Sequence, residues 1–125
     1  MNPVDAFGSV LIEKLRDNAI SYFEGLLHGK APIDAKRLSL HLSEVLSEEQ
    51  KQLLVSACAD AIDVGMHDFL FALQVAHDLN QGIEVLVNGK NIAEESDGLQ
   101  GEPWGEEGWI KKCSRFSTLP KLDSK

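Results

Sequence analysis

Thiols are scarce in this chain, whose 125 residues hold only Cys58 and Cys113. The two lie far apart and lack the close spacing of a metal site or a redox pair, so both are expected to be structural. Long apolar runs are missing as well, and no stretch is long enough to span a bilayer. The opening Met1-Asn2-Pro3-Val4-Asp5 has neither a basic region nor an apolar one, so no secretory signal is expected and a reducing, cytoplasmic setting is the simplest expectation. Positive charge is also short. With 12 basic against 20 acidic side chains the formal net charge is −8. A surface of that sign repels phosphates, which argues against nucleic acid and anionic membranes as partners. It favours a basic protein partner, because opposite charge speeds encounter and aligns the two surfaces, although acidity serves plain solubility equally well.

The common catalytic signatures are missing too: there is no G-x-S-x-G, no H-E-x-x-H and no G-x-G-x-x-G. Gly25-Leu26-Leu27-His28-Gly29-Lys30-Ala31 imitates a phosphate-binding loop, but it is one residue short, ends in alanine where a hydroxyl belongs, and closes a helix instead of opening one. No catalytic, cofactor-binding or metal-ligating residue is assigned on these grounds, and no cofactor is expected.

Apolar residues make up 43% of the chain, enough for one core, and the length suits a single domain over residues 1–125. Steps of three and four among Val4, Phe7, Leu11, Leu15, Tyr22, Phe23, Leu26 and Leu27 predict an amphipathic helix ending near Gly29 and Pro32. Residues 33–46 fit two patterns: Leu38, Leu40 and Leu42 alternate as in a strand, while Leu38, Leu42, Val45 and Leu46 suit a helix. Ser47-Glu48-Glu49-Gln50 has the form of a capping box. The helix it starts directs Leu53, Leu54, Ala57, Cys58, Ala61 and Ile62 inward, and Asp63-Val64-Gly65 is expected to interrupt or bend it. A third helix, Met66 to Leu79, is expected to be nearly all core through Phe69, Leu70, Leu73 and Ala76.

Beyond Gly82 the period changes. Ile83 to Val87 reads as a strand, Asn88-Gly89 as a hairpin turn, Lys90 to Ala93 as a short return strand, and Trp109 to Phe116 as a final strand. The expected class is therefore α+β: three or four N-terminal helices over about residues 3–80, packed on a small antiparallel sheet of two or three strands within residues 83–117, with a frayed tail at 118–125.

The most unusual segment is Glu94 to Glu107. It holds six carboxylates, Glu94, Glu95, Asp97, Glu102, Glu106 and Glu107, and no basic residue. Gly98, Gly101, Gly105 and Gly108 punctuate it, with Trp104 in its middle and Trp109 at its exit. One reading is a partner-binding loop in which Trp104 anchors while Asp97, Glu102, Glu106 and Glu107 steer a basic surface. The other is a solvated connection, with Trp109 in the core and Trp104 covering an edge. An EF-hand is excluded, since aligning Gly98 with the sixth loop position puts Ala93 first and Trp104 twelfth, where acidic ligands are needed. His67-Asp68 and His77-Asp78 repeat on one helix, but ten residues turn the second pair about 80° from the first and raise it roughly 15 Å, too far for a shared ion. Asp63 and His67 are four apart, yet two side chains alone make a weak site.

Three blocks, Leu46-Ser47-Glu48-Glu49-Gln50, Met66 through Leu73, and Ser96 through Trp109, together resemble a group of small bacterial proteins. Similar acidic proteins are immunity partners of secreted polymorphic toxins, including those of contact-dependent growth inhibition. The resemblance implies a cytoplasmic protein that binds and neutralises a toxin domain, for example a nuclease, by occlusion, without chemistry of its own. It carries over no catalytic residue. Other readings remain open: a small metal-dependent hydrolase built on His67, Asp68 and the loop carboxylates, a regulatory module for another protein, and self-association as a homodimer.

Overall fold

The computed structural model describes residues 1–119. The fold is α+β, mostly helical, with one two-stranded antiparallel sheet on its C-terminal side. The first helix forms where expected. Asn2 caps it by accepting from the Asp5 N–H at 2.8 Å, and Pro3 occupies the first turn, where no N–H is needed. It runs as α1 (Pro3–Val10), a π-helical turn (Leu11–Arg16) and α2 (Asp17–Leu27) without a break.

The wider turn changes which side chains face inward. The Asp17 N–H reaches back to the Ile12 carbonyl, five residues away, so one extra residue enters the turn and the inward stripe shifts. Leu15 and Tyr22, expected inside, are exposed, while Ile12, Arg16, Asp17 and Ile20 are buried. Gly29, with φ +76°, closes α2, and the Lys30 N–H bonds the Gly25 carbonyl as in a Schellman motif.

Residues 33–46 are helical: a 3₁₀ turn (Ile33–Ala35) leads into α3 (Lys36–Val45). Ser39, fully buried, donates its hydroxyl to the Leu26 carbonyl at 2.7 Å and so satisfies the end of α2. The capping box is present in full, with Ser47 and Gln50 bonding each other's backbone at 3.1 and 2.8 Å. From it rises α4 (Glu48–Asp78), 31 residues with no interruption. The expected break at Asp63-Val64-Gly65 does not occur. An exposed glycine costs a helix interior about 1 kcal/mol, too little to offset packing on both sides of it. The expected all-apolar interior fails as well, since Leu53, Leu54, Ala57, Ala61 and Phe69 are exposed, whereas Val55, Ala59, Met66, Leu70 and Ala76 are buried. Asn80, at φ +53°, ends α4, with the Gln81 N–H on the Ala76 carbonyl.

The hairpin is shorter than expected. β1 (Leu86–Val87) pairs with β2 (Lys90–Asn91) through Leu86↔Asn91 and Val87↔Lys90. Asn88 and Gly89 turn between them with φ +53° and +80°, the geometry of a type I′ turn. Instead of continuing as a strand, the chain enters α5 (Ile92–Glu95), capped by the Asn91 side chain. The expected final strand is also helical: α6 (Trp109–Cys113) starts where the Trp109 and Ile110 N–H groups bond the Glu102 and Pro103 carbonyls, each at 3.1 Å, so the acidic segment takes the place of a neighbouring strand. Of the expected frayed tail, Thr118 is exposed and Leu119 packs against the core; residues 120–125 lie outside the described residues.

Two apolar clusters form where the first helix runs antiparallel to α4. Val4, Leu11, Ile12, Met66, Leu70, Ile92, Leu99 and Trp109 make one; Ile20, Leu27, Val55 and Ala59 make the other. At the step between them on both helices, between Ile12 and Ile20 and between Ala59 and Met66, stand Arg16, Asp17 and Asp63. No helix of the described residues is long and apolar enough to cross a membrane.

Candidate interaction site

The acidic segment is held to the body by apolar anchors and by one glutamine. Leu99, Pro103 and Trp109 are buried. Gln74 of α4 donates to the Ala93 carbonyl at 3.2 Å and accepts from the Leu99 N–H at 3.0 Å, so one amide fixes both ends of the bend. Trp109 is core, as one reading held. Its indole N–H bonds Asp5 at 3.1 Å, and its ring meets Phe7 edge to face.

The carboxylates sort into two groups. Asp97, Glu106 and Glu107 are exposed, as are Glu94 and Glu95. Glu102 is half-buried and accepts from the Ser96 hydroxyl at 2.6 Å, while the same oxygen of Ser96 accepts from the Gly98 N–H. That places Glu102 within the loop's own framework more than on its outer surface.

Trp104 stays 39% exposed. Its indole N–H is committed to the Gln100 carbonyl at 3.0 Å, and its backbone N–H to Gly101, so the ring is held before any partner arrives. Gly108 makes this bend possible, because a Cβ there would collide with the carbonyls of Pro103 and Trp104. Trp104 forms one wall of a cleft of about 230 Å³, with Asp60 and Asp63 of α4, Lys111 of α6 and Phe116 among the other walls.

Beneath the cleft lies the polar network that divides the core. The Arg16 guanidinium donates to both oxygens of Asp63, at 2.7 and 3.4 Å, and to the Ser114 hydroxyl and the Phe116 carbonyl. Asp17, 1% exposed, accepts from the Ser114 hydroxyl at 2.6 Å and the Arg115 N–H at 2.8 Å. Every strong donor and acceptor here has a partner, which is what burying such charges requires. The network pins the segment after α6 to both long helices and so sets the floor of the cleft. Sequence periodicity missed Arg16 and Asp17 because it assumed 3.6 residues per turn through the π-helical segment.

The histidines do not converge on the cleft. His67 is exposed, bonded to adjacent Asp68 at 3.2 Å and stacked near Phe71, while Asp63, four residues before it, points to Arg16 instead. His77 lies beside Asn91. Among the described residues, no three His, Cys, Asp or Glu side chains group as a metal site would need. Burial raises the Cys58 thiol above its ordinary range, and burial followed by nearby Glu13 does the same for Cys113. Comparison with known protein families, curated proteins and solved structures finds no match.

Proposed function

We propose that this chain is a stoichiometric binding protein, an immunity protein that occupies a basic toxin domain, and that the face around Trp104 makes the contact. The supporting observation is Trp104 itself: a large aromatic ring, partly exposed and fixed by its own hydrogen bond, at the rim of a cleft and inside the most acidic segment of the chain. Tryptophan is favoured as a binding anchor because it offers a large contact area and loses little conformational freedom, the more so when already held in place. Asp97, Glu106 and Glu107 flank it and steer a basic surface; Asp60 adds a carboxylate at the cleft wall. Glu102 supports the loop from within. Occlusion needs no reacting group, and a rigid acidic surface over a basic active site is sufficient.

The test is capture from the native source with the tagged chain and with its Trp104→Ala form, followed by growth assays with the captured partner. The expected result is an equimolar basic protein, released as salt rises, poorly retained by the variant, and toxic unless this chain is co-expressed. A captured partner that is acidic, harmless, or held equally by both forms would overturn the proposal.

A further inference from the structure

The helix α4 is apolar on two opposite sides. One side is covered by the rest of the chain. The other carries Leu54, Ala57, Ala61, Val64, Phe71 and Val75, flanked by Leu53 and Leu79, with Val64 55% and Phe71 49% exposed. The positions 54, 57, 61, 64, 68, 71 and 75 alternate steps of three and four, the seam of a helix that packs lengthwise on another helix; Asp68 is its single charged member. A second apolar stripe, continuous along the exposed side of a helix, is the kind of surface that a partner covers.

We propose that the covering element is α4 of a second copy, lying antiparallel. The seam is self-complementary only in that direction. Its small side chains, Ala57 and Ala61, lie towards the N-terminus, and its largest, Phe71, towards the C-terminus. A two-fold axis through Val64 sets Phe71 of each copy over Ala57 of the other and Val75 opposite Leu53, so bulk meets space. It also opposes the two helix dipoles, while Asp60 of each copy comes opposite Asp68 of the other, a like-charge pair that added salt relieves. A parallel pair would set Asp68 against Asp68 and ring against ring in the same layers.

From Leu53 to Val75, the span that this axis pairs with itself, the seam runs about 33 Å at the ordinary helical rise. Covering it removes on the order of 500 Å² per copy, so the pair reaches about 1,000 Å², the lower limit for a specific interface. The dimer is therefore weak and concentration-dependent. Because each copy carries a net charge of −8, added salt screens their repulsion and strengthens it. That response is opposite in sign to the one expected of a basic partner, which separates the two interactions even though Asp60 borders both surfaces.

Sedimentation velocity of the full chain across a concentration series, in low and high salt, reads the prediction. Expected is a shift towards twice the monomer mass, favoured by salt and weakened at least tenfold by Val64→Glu, whose exposed site leaves the fold intact. Orientation is read by mixing Leu53→Cys chains with Val75→Cys chains, in both of which Cys58 and Cys113 are changed to serine. Oxidation should then link the two kinds of chain to each other and neither kind to itself, whereas a parallel pair would link like to like. A wild-type chain that stays monomeric at the highest attainable concentration, a dimer indifferent to Val64→Glu, or an absent cross-link would each overturn the proposal. So would a seam protected from exchange only when a different protein is bound.

Discussion

The Trp109 indole occupies the space in which any Cβ at residue 8 would stand, so Gly8 and Trp109 are fitted to each other across almost the whole length of the chain. The contact places the acidic segment, because Trp109 ends that segment while Gly8 belongs to α1. Gly8 has ordinary helical geometry and is required for space alone. Gly8→Ala should therefore cost about 3 kcal/mol or more, the upper range for forced overpacking, despite alanine's better helix propensity. Urea unfolding measures it, and an unchanged or raised midpoint would contradict the contact.

Arg16 and Asp63 join the two long helices at 2.7 Å, with Arg16 buried. Removing one partner strands a charge, so Arg16→Met alone should cost about 3 to 5 kcal/mol. Replacing both, with Asp63→Leu added, should recover part of that loss. A double-mutant cycle by chemical denaturation checks the coupling; strict additivity would mean that the pair is not coupled.

Gln74 holds both ends of the acidic bend, and Gln74→Ala leaves the buried Leu99 N–H without its acceptor, a loss of about 1 to 3 kcal/mol. Because the bend is tied to α4 there, the expected signature is faster amide exchange over residues 93–101, ahead of any change in the long helices. Uniform exchange across the chain would show that the loop has no separate stability.

Hydrogen bonds from His28 and Lys51 hold the Glu48 carboxyl below its ordinary range. A lowered carboxyl stabilises the fold above its unfolded-state pKa and loses that contribution as pH falls through the folded value. Glu48 is fully exposed, so the effect is small. Melting curves from neutral to acid pH should show a slightly shallower acid-side decline for Glu48→Gln than for the wild type, with identical slopes contradicting the interaction.

Much of this architecture is legible where local chemistry dictates it. The capping box at Ser47 and Gln50, the stop at Gly29 and the Asn88-Gly89 turn all depend on a few adjacent residues and form as expected. Trp109 as core and Trp104 as a partly exposed edge residue were likewise within reach of the sequence. The π-helical turn was not, because nothing in Leu11 to Arg16 marks an extra residue, and the shift hid Arg16 and Asp17 while promoting Leu15 and Tyr22. The continuity of α4 through Gly65 and the helical form of α6 were missed for a related reason. Tertiary partners settle both: packing along α4 outweighs one glycine, and the carbonyls of Glu102 and Pro103 take the N–H groups that a strand would have spent on a neighbour.

The account centres on Trp104 as the anchor for a basic partner, and calorimetric titration of the captured partner into wild-type and Trp104→Ala protein tests it most directly. Loss of a central anchor costs about 2 kcal/mol or more, so the account predicts at least roughly thirtyfold weaker binding by a variant whose melting curve is unchanged, with wild-type affinity falling as salt rises. Equal affinity for both proteins would contradict it.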